Sequence, residues 1–410
     1  MCPDELSVAL IIPNIDVYSG AVERTVRLIE HAAAARIRYV VFLPSKGVPN
    51  VELGRELDRL ERAGCAELRR LSASQVSDGS RTFDVVAIPT EYWWGAWKRA
   101  RAAGVQGQFC FEFHLLPYVG TLDLLKTIGI EHPGLHDLLR LPFLMRRRYE
   151  EGLVHAAYET IACVASILPL AGPVPGRILA ISAAIAKHLR AVGFQAPVTV
   201  PRHPNGIQAT AVRNSLQDDV PLKYDAIYAG RFHPQKGFLD LPRIVAEMKK
   251  YLGPDVNVAV CGGTTEAEHW KAFSASATAL GVAQNLTLLG RVQKADLYAA
   301  IRSSQALLYP SYVDGFPITV LESLCLGVPV VGYDTDALAM VWGEERAVVR
   351  VPVGDAQGLG RSLAYARENG RLQEGREAAR GRSSWWLSEY TWENVARDQR
   401  VFYEGTDGAT

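Results

Sequence analysis

The chain has 410 residues, too many for one ordinary hydrophobic core and suited to two domains of about 200 residues each. With 48% hydrophobic and 21% charged residues it has the composition of a soluble globular protein, and 44 acids balance 44 lysines and arginines, so nothing in the totals points to nucleic acid or a polyanionic partner. Six scattered cysteines (Cys2, Cys65, Cys110, Cys163, Cys261 and Cys325) form no CxxC pair, which reads as reduced, buried thiols in a cytoplasmic protein.

The opening MCPDELSVALIIPN places acids before its apolar run and has no basic segment, so it reads as a first strand rather than a signal peptide. Strands are expected near Val8–Pro13, Tyr39–Leu43, Asp84–Ile88, Gln108–His114, Ile178–Ile181 and Val198–Val200, separated by helical patterns. Ser19, Gly20 and Ala21 fall between the first strand and its helix, where glycine allows close backbone approach. Tyr92, Trp93, Trp94 and Trp97 suit either a sugar-stacking platform or a helix's buried side. His114 ends an apolar strand, with Glu112 at the same strand parity; imidazole there suits hydrogen bonding or proton handling near neutral pH.

The stretch 115–176 is long for one connection. Residues 138–150 join Leu, Phe and Met to Arg146, Arg147 and Arg148; such a cluster can rest on a membrane surface at its inner face, or the segment can form a helix pair over the first sheet. Thr160–Gly176 is uncharged but is broken by Pro169, Pro173 and Pro175, too short for a membrane span of about 20 residues. His132 and His136 have i,i+4 spacing, but Pro133 and Gly134 lie between them and no third ligand follows, so no metal site is expected. Residues 204–225 read as a linker. Beyond it, strands are expected at Asp225–Ala229, Val256–Cys261, Leu286–Leu289, Ala306–Tyr309 and Val330–Tyr333, and the tail 383–404 is aromatic-rich and helical. Alternation of this kind predicts an α/β chain with parallel sheets.

Two motifs carry chemistry. YAGRFHPQKGFLDL (228–241) sets Arg231 at a strand end and Lys236 five residues on; a guanidinium fork and a compact ammonium facing one point suit phosphate oxygens. LLYPSYVDGFPITVLESLCLGVPVVGY (307–333) runs strand, loop, helix, strand, with Asp314 in the loop, Pro317 near the helix start, Glu322 eight positions after Asp314, and Gly327 past the helix end. The backbone amides after Asp314, at Gly315 and Phe316, form an anion seat beyond the strand end.

The acid-x7-Glu spacing, with Gly-Phe after the first acid and Gly-x-Pro-Val-Val behind, resembles the signature of retaining GT-B glycosyltransferases, nearest to family four (glycosyl transferases group 1). The resemblance is strong over about 225–335 and weaker, but in register, before it. Two positions depart from the family pattern: Asp314 stands where Glu is usual, and Ala21 stands at the second position of a usual Gly-Gly pair.

The resemblance implies two Rossmann-like doubly wound domains facing each other across a cleft. These are residues 1–205, binding the acceptor and joined by a C-terminal helix within 386–410, and residues 206–385, binding the nucleotide sugar. It implies transfer of a sugar, with retained configuration, from a nucleoside-diphosphate sugar (a UDP-sugar by frequency) to a hydroxyl-bearing acceptor, without metal or other cofactor. Residue by residue it assigns the diphosphate to Arg231 and Lys236. Asp314 falls to the donor sugar and Glu322 to the ribose. Gly20, Gly315, Phe316 and Pro317 supply backbone around the phosphates and sugar, Gly262, Gly263, Arg291 and Val292 surround the base, and His114 meets the sugar and acceptor. Asp334 and Asp336 mimic a metal-binding Asp-x-Asp but follow a strand where this fold has no metal site. The alternatives are a non-catalytic partner subunit of the same fold and a nucleotide-sugar epimerase.

Overall fold

The computed structural model describes residues 4–12, 20–71, 82–90, 93–114, 174–191, 194, 197–217, 220–263 and 267–405. The described residues form two compact units. One holds the residues up to 114, those from 174 to Gly206, and those from Tyr390 onward; the other runs from Ile207 to Glu389. The expected membrane-facing segment 138–150, the pair His132 and His136, Tyr92, and most of 115–176 lie outside the described residues. Among the described residues no helix is long and apolar enough to cross a membrane.

The first unit holds β1 (Leu6–Ile11), β2 (Ile37–Leu43), β3 (Ala66–Arg70), β4 (Thr82–Ile88), β5 (Gln106–Phe113), β6 (Arg177–Ala180) and β7 (Val198–Thr199). Their order is β3-β2-β1-β4-β5-β6-β7, and every pairing among the described strands is parallel. Strands covered on both faces read as unbroken apolar runs, and Val8, Ala9, Leu10, Val40, Val41, Val86 and Ala87 are buried accordingly. In register, Leu10 lies between Val41 and Ala87.

The second unit repeats the plan with β8 (Ala226–Ala229), β9 (Val258–Cys261), β10 (Leu286–Gly290), β11 (Leu307–Tyr309), β12 (Val330–Tyr333) and β13 (Val348–Val351), ordered β10-β9-β8-β11-β12-β13 and parallel. The order reverses between β8 and β11. In a doubly wound sheet ligands bind beyond the carboxyl ends of the strands at such a reversal. Both loops that carry the expected phosphate and sugar residues leave from these two strands.

Two strands were not expected, β3 (AELRR) and β13 (VVRV), and both are sheet edges. An edge strand is covered less and carries charge: AELRR offers no apolar run, and Arg350 interrupts the short valine run of VVRV. The tail is two helices rather than one. Arg371–Glu389 ends in the second unit, and Trp392–Glu404 belongs to the first. Thr391 separates them, its hydroxyl accepting from the Asn394 amide at 3.2 Å as a helix N-cap. The last helix is held in the first unit by Arg177, whose Nη1 donates to the Tyr403 carbonyl at 2.6 Å. Trp392 packs on Gly206, where any Cβ would run into the indole.

Candidate active site

In the second unit the loops after β8 and β11 are laced together. Gln235 accepts from the Tyr312 amide at 2.9 Å. Asp240 accepts from the hydroxyls of Tyr312 and Tyr333, the latter at 2.8 Å, and burial followed by the Asp240 charge pushes the Tyr333 phenol far up. Gly237 has φ 71°, and a Cβ there would overlap the Pro310 carbonyl oxygen. This is a left-handed position with backbone pressed against backbone, which glycine alone takes without strain. These contacts carry Lys236 to Asp314: its Nζ lies 2.7 Å from Asp314 Oδ2 and 3.0 Å from the Val313 carbonyl. Asp314 Oδ2 also accepts from the Tyr309 hydroxyl. Burial, then the Asp314 charge, raises the Tyr309 phenol well above its ordinary value, so it stays a donor. The Gly315 amide, expected to face a ligand, instead donates to Asp314 Oδ1 at 3.0 Å, because a short acidic side chain closes readily on the backbone beside it.

Arg231 is exposed, while the Tyr228 hydroxyl holds its carbonyl at 2.6 Å. Next to it, Gly262 comes so close to Gly230 that a Cβ would overlap the Gly230 carbonyl oxygen, and its amide donates to Gly290 at 2.9 Å. A Cβ on Gly263 would sit 3.1 Å from that of Arg291. The expected base-binding residues Gly262, Gly263, Arg291 and Val292 thus follow β9 and β10, beside the Arg231 loop.

Glu322 lies in the helix Ile318–Cys325, which begins after Pro317, and is 3% exposed. Phe316 is buried just ahead of it. Glu322 Oε1 accepts from Lys294 Nζ at 2.5 Å and from the Tyr298 hydroxyl at 3.1 Å; Oε2 has no protein partner among the described residues. Sequence reasoning missed Lys294 and Tyr298. Their signal was the i,i+4 spacing on the helix Lys294–Arg302 just beyond Arg291, which puts both on one face.

In the first unit Gly20 begins the helix Gly20–Glu30, and a Cβ there would touch nothing among the described residues. His114, expected to project from its strand end, is 5% exposed, with Nε2 3.7 Å from Glu112 Oε2. Glu112, expected on the same strand face as His114, anchors a buried network. Its Oε1 accepts from Gln399 at 2.9 Å and Tyr403 at 2.8 Å, and Arg24 Nη1 lies 3.4 Å from Oε2. Burial alone would raise the Glu112 carboxyl, but His114, Arg24 and Tyr403 outweigh it and hold it below the usual range. Burial depresses the His114 imidazole, against the pull of Glu112.

The tryptophans are mainly a packed helix side. Trp93 is fully buried with its ring centroid 4.8 Å from that of Phe111, and Trp94 stacks on Trp97 at 4.8 Å. Asp334 is paired with Arg350 at 2.7 Å, and Thr335 caps the helix Asp336–Trp342. Among the described residues no group of three or more His, Cys, Asp or Glu side chains could hold a metal ion.

Residues 219–381 match the family model of the glycosyl transferases group 1. The chain is 29% identical over 214 residues to a phosphatidyl-myo-inositol mannosyltransferase of Mycolicibacterium smegmatis, covering 50% of this chain and 52% of that protein. It is 30% identical over 177 residues to a D-inositol 3-phosphate glycosyltransferase of Salinispora tropica, covering 41% and 37%. The chain thus spans about half the length, or less, of the curated relatives it matches. Among solved structures, Anabaena HepE in complex with UDP-glucose superposes with a TM-score of 0.66 at 14% identity, over 98% of this chain and all of that one. A sucrose-phosphate synthase from Thermosynechococcus elongatus gives 0.65 at 16% identity, over 98% and 99%. The chain therefore has the fold of the GT-B glycosyltransferases, and its residues 219–381 are similar to the glycosyl transferases group 1.

Proposed function

We propose that this protein is a retaining glycosyltransferase that moves a sugar from a nucleoside-diphosphate sugar, with UDP favoured, to a hydroxyl acceptor, its own cations serving the leaving group. The observation that carries this reading is the meeting of Lys236 and Asp314, 2.7 Å apart, beyond the carboxyl ends of β8 and β11 where the strand order reverses. Arg231 stands exposed on the same loop. Glu322 offers Oε2 to a ribose while Lys294 and Tyr298 steady Oε1.

In the reaction the bond from the anomeric carbon to the diphosphate breaks and a bond to the acceptor oxygen forms on the same face. The acceptor proton passes to the departing diphosphate. Charge grows on that leaving group, where Lys236 and Arg231 act as prepositioned cations. The UDP preference draws support from HepE, solved with UDP-glucose. The inositol in the relatives' names puts D-inositol 3-phosphate and phosphatidyl-myo-inositol first among acceptors to assay.

A thermal-shift comparison of UDP, GDP, ADP and dTDP, each with and without chelator, tests the reading. A ligand at 100 times its dissociation constant adds about 2.7 kcal/mol to folded-state stability. One diphosphate stabilising the protein regardless of chelator is the expected result. A shift abolished by chelator would require a metal. The second reading is a non-catalytic partner subunit, favoured by Lys236 and Glu322 Oε1 being closed on protein groups; it calls for no shift with any nucleotide and no donor hydrolysis.

A further inference from the structure

The second unit contains a cavity of about 800 Å³ that none of the donor residues lines. Four arginines line it, Arg213, Arg302, Arg376 and Arg380, together with Ser383, whose hydroxyl donates to the Cys325 carbonyl, and Ser384. Leu326 and Leu387 supply apolar wall. Arg376 is 8% exposed and donates to the Ser304 and Gln305 carbonyls at 2.6 and 3.3 Å. Arg213 and Arg380 are exposed. None of these three has a carboxylate partner among the described residues. Asp218 and Asp219, next in the chain after Gln217 of the cavity wall, lie outside the described residues.

Buried guanidinium groups are normally paired, because an uncompensated charge is costly to remove from water. Carbonyl dipoles take the Arg376 Nη2 hydrogens without neutralising the charge. Burial, then Arg380 and Arg302, pushes its pKa down to about 10. A cluster of planar forks around an open volume has the chemistry of a phosphate receptor, since each fork can take two phosphate oxygens.

We propose that this cavity is a second anion site, binding a phosphorylated small molecule whose phosphate lies among Arg213, Arg376 and Arg380 and whose body rests on Leu326 and Leu387. The source of the phosphate is either a free metabolite or the headgroup of an anionic lipid.

The test uses the full chain, its Lys236→Ala variant and the double variant Arg213→Gln/Arg380→Gln, which alters two exposed side chains and leaves Arg376 in place. Calorimetric titrations with inorganic pyrophosphate and glucose 6-phosphate probe soluble phosphates. Flotation with phosphatidylcholine vesicles, with and without phosphatidic acid, probes headgroups. The expected result is binding by the parent and by Lys236→Ala, weakened about tenfold or more in the double variant, with unchanged melting and unchanged nucleoside-diphosphate binding. Flotation lost in the double variant would assign the headgroup as source. Phosphate binding that vanishes in Lys236→Ala but survives in the double variant would place it in the donor site and overturn the proposal, as would no binding by the parent to any probe.

Discussion

Replacing Lys236 with alanine separates the chemistry from the folding of its loop. The ammonium lies 2.7 Å from Asp314, and the two side chains are 24% and 20% exposed. At that distance the bare Coulomb attraction is about 1.5 kcal/mol in water and about 6 kcal/mol at an effective dielectric of about 20. Desolvation and side-chain ordering cancel most of it, leaving about 1 kcal/mol of stability for a pair this open to solvent. A loss of that size lowers Tm by about 2–4 °C in a unit of this length. If Lys236 carries charge on the departing diphosphate, its removal costs the transition state about 3 kcal/mol, or at least a hundredfold in rate. The two scales differ enough to be told apart. The assay is initial velocity at saturating nucleotide sugar, with donor hydrolysis followed in the absence of acceptor, beside a thermal melt. Lys236→Ala is expected to melt within a few degrees of the parent and turn over at least a hundredfold more slowly, with Lys236→Arg between them. Turnover near the parent rate, or a loss matched by the unfolded fraction, would refute the assignment.

Gly237→Ala forces a side chain into a left-handed position against the Pro310 carbonyl, and a thermal melt should show a loss of about 1–3 kcal/mol; an unchanged melt would mean the loop yields without strain. Tyr298→Phe removes one bond to Glu322, at about 1 kcal/mol of stability, and should raise KM for the nucleotide sugar more than it lowers kcat; an unaltered KM would count against Glu322 as the ribose contact. Gly20→Ala meets no atoms of the described residues, so it should fold like the parent, and a fall in its activity with an unchanged melt would report a ligand contact rather than packing. The His114 imidazole has its pKa depressed on folding by burial. Its stabilising effect is therefore complete above the unfolded value of about 6.5 and is lost as pH falls from there through the folded value. His114→Gln should flatten the stability profile in that window, and denaturant midpoints measured from pH 7 downward would expose an unchanged slope.

Sequence carried the site further in the second unit than in the first. Arg231, Lys236, Asp314 and Glu322 sit in short motifs of fixed spacing, each tied to a strand end, and the family resemblance places the two motifs in one neighbourhood. What spacing could not convey was their mutual engagement. Nothing in the motif says that Lys236 would close on Asp314, that the Gly315 amide would turn to its neighbour's carboxylate, or that Lys294 and Tyr298 would hold Glu322, because these contacts link residues from 24 to 78 positions apart or depend on a turn's geometry. In the first unit Glu112 and His114 could be placed on one strand face. The partners that make Glu112 a network anchor, Gln399 and Tyr403, come from the other end of the chain. Edge strands β3 and β13 escaped for a local reason: AELRR is too polar to register, and VVRV is a short run interrupted by Arg350.

The departure at Asp314 has a physical sense in this loop. One more methylene would move the carboxylate outward by about 1.5 Å. The aspartate instead turns back, Oδ1 onto the Gly315 amide and Oδ2 onto Tyr309 and Lys236. Its charge is spent on fixing an ammonium rather than on reaching outward, and the neighbouring Tyr309 remains a donor because its phenol is pushed up. A lysine is a compact charge on a flexible stem, and holding it in one place removes the reorganisation it would otherwise undergo when a diphosphate arrives. Arg231, exposed and with its carbonyl pinned by Tyr228, has no such holder among the described residues. Under the proposed function the two cations therefore differ in kind: Lys236 is set before the donor binds, and Arg231 settles on it afterwards.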